Sequence, residues 1–409
     1  MRALLVTWGS TGDVLPYVGL GSGLRAAGLE VTAVTSERLA PFFRRHGMTV
    51  RELPLARHEE SALAADRFER GQSLRRLRNR KRNAQDMAQV IARGVLDAGS
   101  QGTDVLLSHP LAHPLCAAVA QASGTRCIGI YTAAPAMLLP RLSGATRMAE
   151  SAWRLADALA WTAMNPLYRP ALASIADELG TGKRPAGARG HVRQSPVLHG
   201  FSPALLPENS PLPAGQQCAG YWWPRRDPDW QPEAGLTQFL DSGPAPVYIG
   251  FGSVAPGNPE DLGAVIKQAV RQLGVRAVVQ AGWLGLNIQG DDIITIKECP
   301  HDWLFPRMSA LVHHAGPGTA GAGLRSGVPA VTVPLALDQP FWSRRMHSLG
   351  LSPPGLDARN LTVPALTESL RKILTEPSYR RRTQTVSDRL RSEDGTRIVL
   401  EEIMCRQLP

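Results

Sequence analysis

The sequence has few cysteines, no long apolar run and no recognisable nucleic-acid module, and each of these gaps excludes something. Five cysteines, Cys116, Cys127, Cys218, Cys299 and Cys405, are spread over 409 residues without a C-x-x-C pair. An odd, scattered set suggests neither a disulfide framework nor a zinc site, and a reducing, cytoplasmic setting is expected. The apolar start, Met1 to Val6, is stopped by Trp8-Gly9-Ser10-Thr11-Gly12-Asp13. That is far short of a signal peptide or a membrane span, so it reads as a first β-strand. Zinc-finger spacing, an RNP-like aromatic strand and a basic-leucine heptad array are all missing, so no nucleic-acid partner is expected. The formal net charge of +10 therefore needs another origin. Arginine far outnumbers lysine in a chain also rich in Ala, Gly and Pro, a bias that genomic base composition would produce without any anionic partner.

What is present is a globular composition, 43% hydrophobic and 20% charged, long enough for two or three domains. Strand and helix patterns alternate without an internal repeat. Arg2 to Thr7 reads as a strand, Leu15 to Ala27 as a helix and Glu30 to Val34 as the next strand, which makes a βαβ unit. A dinucleotide fingerprint would need G-x-G-x-x-G at the first turn and an acidic residue ending the second strand. Gly9-x-x-Gly12 has the wrong spacing and strand two ends in Thr35-Ser36, so a nicotinamide enzyme is set aside. A second βαβ unit runs from Ala310 to Val333 around a helix over Thr319 to Ser326. Gly316, Pro317, Gly318 and Thr319 fall at the mouth of that helix, where unpaired N–H groups and the helix dipole favour an anion such as phosphate. His314 enters the turn and Asp338-Gln339 leave the following strand, so all should meet at the carboxyl edge of one parallel sheet.

Several blocks in order carry a resemblance to a known family. Cys299-Pro300-His301-Asp302-Trp303-Leu304-Phe305-Pro306, then His313-His314 and Asp338-Gln339-Pro340-Phe341-Trp342, resemble the donor-binding signature of family-one, nucleotide-sugar-dependent GT-B glycosyltransferases. The branch is that of sterol glucosyltransferases and bacterial antibiotic glycosyltransferases. Gly9 to Pro16, GSTGDVLP, resembles that branch's amino-terminal GSxGDxxP segment, whose aspartate is a proposed general base. The resemblance implies an α/β GT-B chain with two Rossmann-like domains facing across a cleft. It implies inverting, metal-independent transfer of a hexose from a UDP- or dTDP-sugar to a hydroxyl of a lipophilic small molecule, with no further cofactor. Asp13 would be the base, and Ser10 and Thr11 would contact acceptor or phosphates. Ser253, Pro300, His301, His314, Gly316, Gly318, Thr319, Asp338 and Gln339 would bind the donor. Two departures stand out: Ala315 and Pro317 replace the relatives' common Gly and Ala, and Ala322 stands where plant relatives carry a ribose-binding glutamate.

Each assignment has a structural counterpart. Asp13 also suits the N-cap of the following helix, and Ser10, Thr11 and Ser253 suit simple turn formation. His109 and His113 are four apart, yet Pro110 and Pro114 interrupt the helix and no third ligand is near, so they read as structural or acceptor-lining rather than metal-binding. The cationic run Arg70 to Arg82 reads as a solvated segment, with a peripheral contact to anionic membrane as the sharper alternative. The expected organisation is an acceptor domain at 1–205, a linker at 206–232, a nucleotide-sugar domain at 233–385 and a last helix at 386–409 returning to the first domain. Two rival classes, a nucleotide-sugar epimerase of the same architecture and a non-catalytic helper, remain as alternatives.

Overall fold

The computed structural model describes residues 1–58, 74–100, 102–133, 150–181, 187–207, 212–227, 229–252, 258–282 and 285–405. Ser253 and the residues 70–73 at the start of the cationic run therefore lie outside the described residues. Within them the alternation foreseen from the sequence becomes two parallel sheets. The first contains β1 (Arg2–Val6), β2 (Glu30–Ser36), β3 (Thr49–Leu53), β4 (Val105–Ser108), β5 (Arg126–Tyr131), β6 (Val197–His199) and β7 (Gln216–Cys218). Its order is β3-β2-β1-β4-β5-β6-β7. The second contains β8 (Val247–Gly250), β9 (Ala277–Gln280), β10 (Ile293–Ile296), β11 (Ala310–His313) and β12 (Ala330–Thr332), in the order β10-β9-β8-β11-β12. The chain is thus an α/β protein with the GT-B pattern of two parallel sheets.

The strand orders locate two crevices. In the first sheet the chain moves outward from β1 to β3 and then returns to place β4 on the other side of β1. In the second, β8 and β9 move one way and β11 returns beside β8. At such reversals the loops leaving neighbouring strands diverge and open a space at the carboxyl edge. The loops concerned follow β1 and β4 in one sheet, and β8 and β11 in the other.

The first helix, α1 (Thr11–Ala26), starts at the first of these reversals. Its small residues, which look like a poor helix pattern, are explained by what crosses it. A Cβ on Gly19 would lie 2.3 Å from the Trp223 carbonyl oxygen, one on Gly21 would meet Met48 Sδ at 2.5 Å, and one on Gly23 would meet Thr396 Cγ2 at 2.6 Å. The 220–224 segment therefore passes directly over α1. Trp222 is fully buried there and donates its indole N–H to the Gly395 carbonyl at 3.2 Å.

Three differences from the sequence-based expectation have local causes. The strand β7 falls within 206–232, because β6 supplies a parallel partner that a polar Gln-Gln-Cys triplet does not advertise. The region of the last helix, expected as one at 386–409, holds the end of α13 (Pro377–Ser392) and then α14 (Gly395–Met404). The break lies where Asp394 caps the second through the Arg397 N–H and where Gly395 approaches the Gly220 carbonyl too closely for a side chain. Val399 and Ile403 of α14 join the core beneath the first sheet, and Glu402 pairs with Arg126 of β5. The third is the N-cap of α1, which falls on Ser10 and not on Asp13.

Helices α3 (Leu74–Gly99), α4 (His113–Ser123) and α5 (Glu150–Glu178) cover the other face of the first sheet, α6 (Ala188–Val192) packs on α4 and α5, and α2 (Ala40–Arg45) lies against β2 and β3. Around the second sheet lie α7 (Ala234–Asp241), α8 (Pro259–Leu273), α9 (His301–Leu304), α10 (Pro317–Arg325), α11 (Gln339–Ser348) and α12 (Val363–Thr375). One hydrophobic cluster straddles the two halves, joining Phe201, Leu205 and Tyr221 to Leu304, Phe305 and Trp342. No helix among the described residues is long and apolar enough to cross a membrane.

Candidate active site

At the first reversal, Gly9 adopts φ +132 and turns the chain from β1 into α1. Ser10 is the N-cap, its Oγ accepting from the Asp13 N–H at 3.4 Å, while Asp13 Oδ2 accepts from the Ser10 N–H at 2.9 Å and the Ser10 hydroxyl at 2.7 Å. This is a capping box, so the N-cap expected at Asp13 belongs to Ser10 and Asp13 occupies the third helical position. Both roles leave Asp13 exposed at the cleft with its second oxygen uncommitted. Thr11 is the first residue of the helix.

His109 leaves β4 beside this turn, its ring 5.4 Å from Trp8 and 5.7 Å from Tyr17. Its Nδ1 accepts the Leu111 N–H at 3.2 Å, which places the proton of the neutral ring on Nε2. Burial holds its pKa down to about 4, against the pull of the Asp13 charge. His113, by contrast, points into the core and bonds the Tyr131 hydroxyl at 2.6 Å. The i, i+4 pair is thus divided, and no group of three metal-ligating side chains occurs among the described residues. Sequence reading grouped His109 with His113; its place at the end of the strand next to β1 becomes visible only from strand order.

At the second reversal, His313 turns inward and its Nδ1 accepts the Ala315 N–H at 3.0 Å. Ala315 sits at φ +62, a left-handed conformation that costs an alanine about 1 kcal/mol or more. The turn presents His314, whose Nδ1 is buried without a partner. The ring fits because Gly252 and Gly316 lack side chains: a Cβ on either would lie 2.9 Å and 2.5 Å from it. Burial lowers the His314 pKa to about 4, again opposed by Asp13, so the ring is neutral at pH 7. Gly316 is the N-cap of α10 and Pro317 its first residue, where a missing N–H does no harm. Gly318 and Thr319 follow with N–H groups that have no intrahelical acceptor.

The two reversals face each other. The Gly12 carbonyl oxygen lies 3.8 Å from where a Gly318 Cβ would be. The Asp13 charge acts on His109 in its own half and on His314 and Asp338 in the other. The amino ends of α1 and α10 thus converge on one cleft.

Asp338 and Gln339 open α11. Gln339 Oε1 accepts the Leu335 and Ala336 N–H groups at 2.8 and 3.2 Å, shaping the loop, which leaves its amide N–H₂ as the donating end. Asp338 is 6% exposed and accepts the Trp342 indole N–H at 2.9 Å. Burial raises its pKa to about 6. Just before it, Leu337 stands at φ +58 and 70% exposed, a strained apolar side chain at the rim that the sequence does not reveal. On the far side, Pro300 caps α9, and His301 stacks on Phe305 at 4.2 Å with its pKa lowered to about 4 by burial. Ala322 lies on α10, half-buried, with no polar group to offer a ribose.

The chain matches, over residues 283–404, the family model described as "Erythromycin biosynthesis protein CIII-like, C-terminal domain". It is 28% identical to an O-mycaminosyltylonolide 6-deoxyallosyltransferase of Streptomyces fradiae, across 98% of this chain and 97% of that one. It is also 28% identical to a sterol 3-beta-glucosyltransferase of Pichia angusta, across 98% of this chain but 33% of the relative, so it spans about a third of that protein's length. Along its whole length the chain is thus similar to family-one glycosyltransferases. Solved members of this fold superpose along the whole chain. The calicheamicin glycosyltransferase CalG4 gives a TM-score of 0.73 at 18% identity, covering 100% of this chain and 99% of that one. The glycosyltransferase VinC, solved in complex with dTDP, gives 0.69 at 17%, covering 99% of each. At such identities the superpositions speak for the GT-B fold alone.

Proposed function

We propose that this GT-B chain transfers a hexose from a UDP- or dTDP-sugar to a hydroxyl of a lipophilic small molecule such as a polyketide, macrolide or sterol, with inversion and without a metal. The observation that carries the reading is the convergence of Asp13, His314 and Asp338 on one cleft between two helix amino ends. Asp13 takes the acceptor proton as the hydroxyl oxygen forms its bond to the anomeric carbon, and the bond from that carbon to the diphosphate breaks with its electron pair leaving on the phosphate. The growing charge meets the Gly316, Gly318 and Thr319 N–H groups, the Thr319 hydroxyl, the α10 dipole and a neutral His314 acting as a hydrogen-bond donor. Asp338 accepts from the sugar hydroxyls and Gln339 donates to its oxygens. Pro300 and His301 take the base, Ser253 adds to the phosphate contacts, and Ser10 and Thr11 touch acceptor or phosphate.

The same reading gives the acceptor side a lipid-facing surface. Arg78, Arg80, Lys81 and Arg82 are exposed on α3, which packs along α5 through a bond from Gln85 to the Pro166 carbonyl at 2.8 Å. On α5, Leu155 and Leu159 are exposed one turn apart. Cations on one helix and exposed leucines on the helix packed against it suit a peripheral contact with an anionic bilayer.

Asp13→Asn tests the chemistry. Asparagine can still accept the Ser10 N–H and keep the cap, so donor affinity should hold within about threefold while turnover falls by about 10² or more. Product formation and donor calorimetry, both in chelator, give the answer. Turnover equal to wild type would remove Asp13 as the base.

A further inference from the structure

Helix α11 carries Asp338 and Gln339 at its amino end, and its other face is tied to the segment that follows β6. Arg345 Nε donates to the Leu205 carbonyl at 2.8 Å and its Nη2 to that of Leu206 at 2.6 Å. One turn earlier, Trp342 is 1% exposed and packs edge-on against Phe201 and Phe341, each at 5.1 Å. Its indole N–H points at Asp338 Oδ2. An indole has one proton to give and no lone pair to receive one, so the bond fixes a single carboxylate oxygen as its acceptor, and the residue's own backbone N–H is the other protein group that bonds the carboxylate. Helix capping does not account for that orientation, because the Asp338 side chain makes no capping bond to α11.

We propose that Trp342 is a positioning residue for the donor sugar: its indole, held by Phe201 from the first-sheet half of the molecule, aims the Asp338 carboxylate at the sugar hydroxyls. Sugar recognition on one half is thereby set by residues 201–206 of the other. This rests on the reading of Asp338 as a sugar contact. The ionisable groups facing Asp338 are Asp13 across the cleft, whose charge raises its pKa, and the buried Tyr221 phenol. The Trp342 bond works in the opposite direction and favours the ionised carboxylate. Losing the indole N–H therefore moves protonation of Asp338 to higher pH.

The test is Trp342→Phe in the full chain, assayed with a nucleotide sugar that the wild type uses. Loss of one bond to a buried charge should raise the donor KM about tenfold, with kcat falling less. The acid limb of kcat/KM for the donor should move to higher pH. In an Asp338→Asn background, adding Trp342→Phe should produce no such movement. Should Trp342→Phe fail to fold, Phe201→Leu keeps the N–H but loosens the ring, and a smaller rise in the donor KM is expected. An unchanged donor KM and acid limb overturn the proposal. A wild type that uses no nucleotide sugar overturns the reading of the site, and this inference with it.

Discussion

Replacing Gly19 by alanine probes the contact on which the cleft depends. Gly19 lies in the middle of α1, six residues from Asp13 and thus about 9 Å along the helix axis. A methyl there would sit 2.3 Å from the Trp223 carbonyl oxygen, 2.6 Å from its carbon and 2.9 Å from Pro224 N. Ordinary contact needs roughly 1 Å more, and neither partner can rotate away because both are backbone. Alanine gains about 1 kcal/mol of helix propensity over glycine. Overpacking costs about 1–3 kcal/mol, and rigid partners put this site at the upper end. The net is a loss of about 2 kcal/mol, or a Tm lower by about 4–8 °C if the first-sheet half melts as one unit. Gly235→Ala in α7 is the control, since nothing lies within 4 Å of its Cβ position. It should leave Tm unchanged or raise it slightly. Thermal unfolding followed by circular dichroism separates the two. If Gly19→Ala melts at or above wild type, the 220–224 segment does not press on α1 and the account of how the cleft is held fails.

The remaining predictions concern the donor side. Burial raises the Asp338 pKa to about 6 from its ordinary 3.8, so the fold favours the protonated carboxyl. Its contribution to stability is full below pH 3.8 and is lost as pH rises through about 6. Asp338→Asn should therefore raise Tm at pH 8, on the order of 3 kcal/mol of relief, while calorimetry shows weaker donor binding. If Asp338 holds the sugar as proposed, donor affinity of the wild type should run the other way and fall as pH drops through about 6, because a protonated carboxyl is a weaker acceptor for sugar hydroxyls. At Ala315, φ +62 makes the outcome depend on side-chain shape. Glycine relieves about 1–2 kcal/mol of strain but forfeits a buried methyl and pays about as much in chain entropy, so Ala315→Gly should stay within about 1 kcal/mol of wild type. Ala315→Val adds β-branching to a left-handed residue and should lower Tm by several degrees.

Local order was written in the chain itself. The alternation of short apolar strands with helices, the glycine turns after β1 and β11, and the Asp-Gln pair after β12 follow from side-chain periodicity and turn chemistry acting over a few residues. These were enough for the fold class and for the position of the candidate donor loop. The identity of the N-cap was nearly legible too: Ser10 and Asp13 have capping-box spacing, and only the hydrogen-bond directions assign the two roles. Other features needed the tertiary structure, because each depends on contacts between residues far apart in the chain. Which strands flank β1 and β8 decides where the crevices open, and that brings His109 rather than His113 to the cleft. Gly19, Gly21 and Gly23 look like a weak helix until Trp223, Met48 and Thr396 arrive against them. The edge strand β7 exists because β6 is there to pair with it, and Trp342 acquires its place from Phe201, 141 positions earlier in the chain. Short-range propensity cannot encode such partners. They are selected when both sheets bury their faces at once and the only arrangement left places the two helix amino ends opposite one another.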